Sequence, residues 1–287
     1  MAAKGTDRLF VWIVYALLTL VSLLVIVPFI YVVVVSFATK HEVLSRGFFL
    51  FPKELTLNSY QFLLRERNFT TAFKNSLIIT LIGTTINITL TSLMAYGLSK
   101  VWLPGRKVIN FLVLVTMLFS GGIIPTYLIV KAFGLLNSYS SLWLSGAIAP
   151  FHLIVMRSFF QNFPAELEES SRIDGCGELR LFWRIVLPLS MPAVATFTLF
   201  YLVQNWNTYF SALLYLNDTQ MWPLQVYLRQ ILIESTDSSM MLIVEGFEYG
   251  PPVKMAAVVI TAAPMLLIYP FMQKHFNKGM MLGSVKG

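Results

Sequence analysis

Few residues in this chain are equipped for acid–base or metal chemistry, and those few stand apart from one another. The single cysteine, Cys176, has no partner for a disulfide, and the three histidines are not grouped with Cys, Asp or Glu at metal-ligand spacing. Only His152 lies within a long apolar run, where packing and a hydrogen bond account for it better than a proton relay does. No G-x-x-x-x-G-K-[ST] segment is present to cradle a nucleotide phosphate. Two stretches do carry usable chemistry. "QNWNTYF", residues 204 to 210, sets amides, an indole and a phenol in the middle of an apolar run. These groups suit a hydroxyl-rich solute through hydrogen bonds and ring stacking, and they suit helix–helix contacts equally well. Asn87 presents the same two alternatives. The second stretch, "EESSRIDGCGELRLFWRIVLPLSMP", residues 168 to 192, is charged, interrupted by glycines and placed between two long apolar runs.

The elements that must position these residues are set by solvent. The chain has 287 residues, 56% of them hydrophobic and 12% charged, about half the charged fraction of an average soluble domain. A helix needs roughly 20 apolar residues to cross a bilayer core. Six runs meet or approach that length: Leu9 to Thr39, Asn75 to Ser99, Val108 to Val130, Ala132 to Met156, Ile185 to Asn217 and Met255 to Gln273. An all-α integral membrane protein of six spans is therefore predicted. The first run is longer than the apolar region of a signal peptide and lacks a small-x-small cleavage pattern, so it reads as a retained span. Pro28, Pro125, Pro150 and Pro264 fall inside runs, and Gly121, Gly122 and Pro125 make the third run the most readily broken. No internal repeat is apparent.

The net charge of +7 is scattered between the runs and not gathered on one face, which argues for membrane topology over nucleic-acid binding. With the N-terminus inside, twelve of the 21 Lys and Arg fall on inner segments: Lys4, Arg8, Lys100, Arg106, Lys107, Arg157, Arg172, Arg180, Arg184, Lys274, Lys278 and Lys286. Six of the remaining nine lie in or beside the long segment from 40 to 74, where the rule is weak. Both termini are expected in the cytoplasm, which puts residues 168 to 192 on the cytoplasmic side. Residues 40 to 72 carry an amphipathic pattern suited to a membrane surface.

The charged stretch has its own logic. Pro164 with Glu166, Glu168 and Glu169 marks a helix start, since proline suits the first turn and carboxylates suit the positive end of the helix dipole. Gly175 and Gly177 end that helix, and a second runs from Glu178 with Leu179, Phe182, Trp183 and Val186 as a broad apolar surface, stopping at Pro188 where the fifth span begins. Two short helices joined by a glycine turn make a knob, and a knob needs a socket.

At these residues the chain resembles the coupling loop of permeases from binding-protein-dependent ABC importers. That pattern is Glu-Ala-Ala, three residues, Gly, nine residues, Ile-x-Leu-Pro. Here Glu169, Ser170 and Ser171 are followed by three residues and Gly175, then by nine residues and Ile185-Val186-Leu187-Pro188. The departure is Ser-Ser for Ala-Ala, which keeps the residues small. The end "NKGMMLGSVKG" resembles the tail of the second permease subunit of maltose-type carbohydrate importers, and "GGIIPTYLIVKAFGLLNSY" and "NWNTYFSALLYLND" resemble the subgroup serving complex, often uronate-bearing oligosaccharides.

The resemblance implies a type I ABC importer transmembrane domain. Its parts would be an N-terminal tail, first span and outer segment (1–70), a core domain (71–272) with the coupling loop at 161–188, and a cytoplasmic tail (273–287). It implies no catalysis and no cofactor in this chain, with ATP and Mg held by partner subunits. The expected partners are a second permease, two ATPase subunits, an external solute-binding protein, an oligosaccharide and the lipid bilayer of a bacterial inner membrane. Coupling to the ATPases would fall to Glu169, Ser170, Ser171, Asp174, Gly175, Ile185, Leu187 and Pro188, with Lys278, Gly279, Gly283 and Lys286 as a contacting tail. Glu169 would anchor the loop by charge-assisted hydrogen bonds. Asn87, Asn205, Trp206, Asn207 and Tyr209 are candidates for the solute path. The rival class, an ATP-independent transporter or channel, requires titratable residues at mid-membrane, and no Asp, Glu, Lys or Arg lies at the centre of any run. A membrane-bound sensor would need a soluble domain for which the chain has no room.

Overall fold

A computed structural model describes residues 5–173, 175–234 and 250–284, and among them every regular element is a helix. The chain divides into two compact units, residues 1–70 with 228–263, and residues 71–227 with 264–287.

The first unit opens with α1 (Gly5–Ser36), whose apolar side chains point outward along nearly its whole length, Trp12 at 73% and Leu24 at 67% exposure. In water each such side chain forgoes about 1.5–3 kcal/mol of burial. Such a surface suits hydrocarbon and not water as its surroundings, and Phe10–Ser36 is long and apolar enough to span a bilayer. Pro28 sits inside this helix without ending it. Beyond α1, Thr39 caps α2 (Lys40–Arg46) by accepting the Glu42 N–H at 3.2 Å. Phe49 then folds back with Val35 and Ala38 into a small core. Glu42 holds the returning chain: its two carboxylate oxygens accept the Lys53 N–H at 2.9 and 3.1 Å, and Arg46 pairs with it. Next comes α3 (Asn58–Arg65), after which Glu66 accepts the Asn68 and Phe69 N–H groups and caps the following helix.

That helix, α4 (Arg67–Ser99), runs for 33 residues, about 50 Å, and is the axis of the second unit. One side of it is lined by small polar groups, all buried: Ser76, Thr80, Thr84, Asn87, Thr91 and Ser92. Near its start Ile79 joins a cluster with Val130, Leu142, Tyr215 and Val226, and near its end Ala95, Tyr96 and Leu98 join another with Leu153, Met156, Phe160, Phe182 and Phe197.

The third and fourth apolar runs are each divided. The third is split into α5 (Arg106–Leu118) and α6 (Ile123–Ala132), with Gly122 at φ +85° in the gap, so the break falls where the glycine pair lies. The fourth becomes α7 (Ser140–Ser145) and α8 (Pro150–Gln161). Pro125 and Pro150 therefore sit in the first turns of helices instead of interrupting them, where a missing N–H costs nothing. α8 packs on α5, while α7 packs on α6. Three described helices are long and apolar enough to cross a membrane alone, Phe10–Ser36, Arg67–Ser99 and Pro251–Pro270, and a pair bent by 85°, Glu178–Leu189 with Met191–Trp206, makes a fourth if counted as one span. The last of the three is the first part of α15 (Pro251–Ser284), which runs through Pro264 and Pro270.

Candidate functional site

The knob forms between α8 and the fifth apolar run. Helix α9 (Ala165–Ile173) starts just after Pro164 with Glu166 and Glu168 in its first turn. It ends as the sequence requires. Gly175 takes φ +75° and the Cys176 N–H returns to the Ser171 carbonyl at 3.0 Å, the wrapped C-terminus that a left-handed residue permits. Ser171 is buried and donates its hydroxyl to the Leu167 carbonyl at 2.7 Å, whereas Glu169 and Ser170 face outward. Asp174 and Lys286 lie outside the described residues. Lys278, Gly279 and Gly283 belong to the far end of α15, whose helical backbone continues to Ser284.

The second arm differs from the expectation in two respects. First, the apolar surface divides: Leu181, Phe182 and Val186 are buried, while Leu179 is 70% and Trp183 51% exposed. Ile185 and Leu187 are half-buried against the same cluster that holds Phe182. Second, Pro188 neither stops the arm nor begins the next span. From α10 (Glu178–Leu181) the chain widens into a π-helical turn, Phe182–Val186, in which the Leu187 N–H reaches back to Phe182, and then continues through α11 (Leu187–Leu189). The wider turn makes room for a proline ring that an ideal α-helix would press against the carbonyl four residues earlier. The bend comes at Ser190, and α12 (Met191–Trp206) starts there with Pro192 in its first turn.

What fastens the knob was not read from the sequence. Lys100, just past α4, forms an ion pair with Glu168, and its ammonium lies 4.1 Å from the centre of the Tyr96 ring. The Tyr96 hydroxyl donates to Glu178 Oε2 at 2.9 Å. The C-terminal end of α4 thus holds both arms. A lysine one turn after a tyrosine at the close of a charge-free helix, "YGLSK", is the available signal.

The polar residues of the spans form a second constellation. Asn205 Nδ2 donates to Asn87 Oδ1 at 2.8 Å and lies 3.1 Å from Thr84 Oγ1. Asn87 Nδ2 donates to the carbonyls of Gly146 and Ala147 at 2.9 and 3.0 Å. Tyr201 shares a 2.7 Å hydrogen bond with Thr91 and accepts the Ala149 N–H at 3.0 Å. These are the backbone groups that the break between α7 and α8 leaves without helical partners, and in hydrocarbon each would otherwise cost several kcal/mol. Gly83 lets Asn205 approach, since a Cβ there would stand about 3.1 Å from its amide nitrogen. Trp206 is buried, with Phe73 edge-on at 6.0 Å. Asn207 is exposed, donates to the Val203 carbonyl at 2.9 Å and accepts from Gln225 at 3.3 Å. Tyr209 is half-buried against the cluster of Ile79 and Tyr215. Among the described residues no group of three or more His, Cys, Asp or Glu converges as a metal site.

A family model for the inner membrane component of binding-protein-dependent transport systems matches residues 2–282. The chain belongs to that family. This permease is 50% identical, over 98% of its length and 99% of the relative's, to the polygalacturonan/rhamnogalacturonan transport system permease protein YtcP of Bacillus subtilis. It is 29% identical over 99% of its length to the diacetylchitobiose uptake system permease protein NgcG of Streptomyces coelicolor, covering 92% of that protein. Among solved structures, a chain of a bacterial ABC transporter involved in import of the acidic polysaccharide alginate superposes with a TM-score of 0.90 at 30% identity, covering 96% of the permease and 99% of that chain. The permease is the non-catalytic membrane subunit of an ABC importer; ATP is hydrolysed by separate subunits, and solute arrives on a binding protein. An ATP-independent carrier or channel is thereby set aside.

Proposed function

We propose that this permease imports an acidic, uronate-bearing oligosaccharide of pectin or alginate type through six membrane spans, with both termini and the knob in the cytoplasm. The observation that carries the substrate class is the 50% identity, end to end, to a permease named for polygalacturonan and rhamnogalacturonan transport. The likeness to the alginate transporter chain supports it, because both relatives are named for polyuronates.

In this reading the six spans are α1, α4, the broken pair α5 and α6, the broken pair α7 and α8, α12 with its short continuation α13 (Phe210–Tyr215), and α15. The knob presents Glu169 and Ser170 to the ATPase subunits, while Ser171, Gly175, Ile185, Leu187 and Pro188 set its shape. Asp174 and the tail residues Lys278, Gly279, Gly283 and Lys286 complete that contact surface. Asn87 and Asn205 hold the wall of the solute path and Trp206 packs behind it. The exposed amides of Gln204 and Asn207, with Tyr209 beside them, meet the sugar.

The test is ATP hydrolysis by the intact complex with its binding protein, comparing a trigalacturonate with a neutral trisaccharide of equal length. Stimulation by the uronate alone is the expected result. Stimulation by the neutral sugar alone overturns the acidic substrate while leaving the importer in place.

A further inference from the structure

We propose that Lys100 and Tyr96 are the residues through which the knob's displacement enters the membrane domain, so that both arms of the knob and the inner end of α4 move as one body. The inference rests on the reading of the knob as the ATPase-contacting element. Glu168 and Glu169 are adjacent, yet they face apart: Glu169 is exposed, while Glu168 turns inward to Lys100, whose side chain is only 7% exposed. One glutamate is thus presented to a partner and the other is committed to this chain. Lys100 follows the C-terminus of α4 and Glu168 occupies the first turn of α9, so each charge also complements the dipole of its own helix. Tyr96 contributes twice, its ring to Lys100 and its hydroxyl to Glu178 on the second arm. Its ring lies 5.0 Å from that of Phe182 and 6.2 Å from that of Phe160, which places the polar links on a packed aromatic base. A shielded ion pair breaks at high cost when one partner is lost, so the arms do not slide freely on α4.

The experiment uses the complete complex in proteoliposomes, with spin labels on cysteines at Ser170 of the knob and Leu90 of α4 in a Cys176→Ser background. Distances are compared between the nucleotide-free and the ATP–vanadate-trapped states, with trigalacturonate as the probe on the binding protein. In the wild-type sequence the distance is expected to stay constant. In Lys100→Met it is expected to change between the states by a discrete step of up to about 5 Å, the size of one helical turn. Lys100→Arg, which keeps the cation beside Glu168 and the Tyr96 ring, is expected to keep the distance constant, which a general packing defect at this position would not do. Tyr96→Phe, which keeps the ring and loses the bond to Glu178, covers the case in which Lys100→Met does not assemble, and is expected to loosen the distance in the same sense. A wild-type distance that changes between states, or Lys100→Met and Tyr96→Phe as constant as wild type, overturns the proposal. Free mobility of the Ser170 label with the ATPase subunits attached would instead overturn the reading of the knob on which it rests.

Discussion

Asn205 and Asn87, 118 residues apart in sequence, are joined by a 2.8 Å hydrogen bond, and Asn87 passes its own two donors to the carbonyls that end α7. Removing Asn87 therefore strands two carbonyls and leaves the Asn205 amide with only its 3.1 Å bond to Thr84 Oγ1. A buried group left unpaired costs about 1–3 kcal/mol, so Asn87→Ala should lower the melting temperature of the purified permease pair more than Asn205→Ala does. Because the residues share a bond, the double variant should lose less than the sum of the two. Equal, additive losses would show that the seam is not a connected network.

Gly175 and Gly177 make a controlled pair. A Cβ on either meets nothing within 4 Å, but only Gly175 is at positive φ, +75°, whereas Gly177 is extended at φ −70°. Gly175→Ala should then cost about 1–2 kcal/mol in knob stability, read as poorer retention of the ATPase subunits during purification, while Gly177→Ala should be neutral. Gly175→Trp should cost little more than Gly175→Ala within this chain, so a much larger loss would locate a partner surface against that turn.

Topology is checked by labelling. Ser171 is buried, so the probe cysteine belongs at exposed Ser170, with Cys176 replaced by Ser, and its counterpart at exposed Asn217. An impermeant thiol reagent should reach position 217 in intact cells and position 170 only after the inner face is opened. The reverse pattern would invert the orientation and detach the knob from the ATPases.

Glu42 supplies a pH dependence. The Lys53 N–H, followed by Arg46, holds its carboxyl below the ordinary value of 4.5. A depressed folded-state pKa stabilises above the unfolded value, and that stabilisation is lost as pH falls through the folded pKa. Proteolysis of the segment Gly47 to Leu57 should thus be flat from pH 8 to 5 and should rise only below 4.5. Glu42→Gln should raise it at neutral pH and flatten the profile.

Much of this was legible in the sequence because it depends on local rules. The bilayer imposes length and apolarity on α1, α4 and α15, and the glycines at 175 and 177 mark the end of α9, although only Gly175 takes the left-handed turn. The glycine pair marked the break before α6 for the same reason. The division of the fourth run was legible only in part: Pro150 removes a helical hydrogen bond wherever it lies, but the side chains that satisfy the freed groups, Asn87 and Tyr201, come from distant segments. The passage through Pro188 was missed because a π turn is a compromise between ring sterics and the burial of Phe182 and Val186, and burial is a tertiary fact. Likewise, no spacing rule distinguishes Glu168 from Glu169. Which of two adjacent carboxylates faces inward is decided by where Lys100 ends up.

Import of an acidic oligosaccharide through this chain should occur only when ATP is hydrolysed by subunits attached to its knob. Proteoliposomes containing the full complex, with ATP enclosed, binding protein outside and labelled trigalacturonate as solute, measure this directly. Uptake should require both ATP and the binding protein and should fall in step with ATPase retention in Gly175→Ala. Equal uptake with ATP omitted, following the solute's own gradient, would rule out ATP-driven import through this chain.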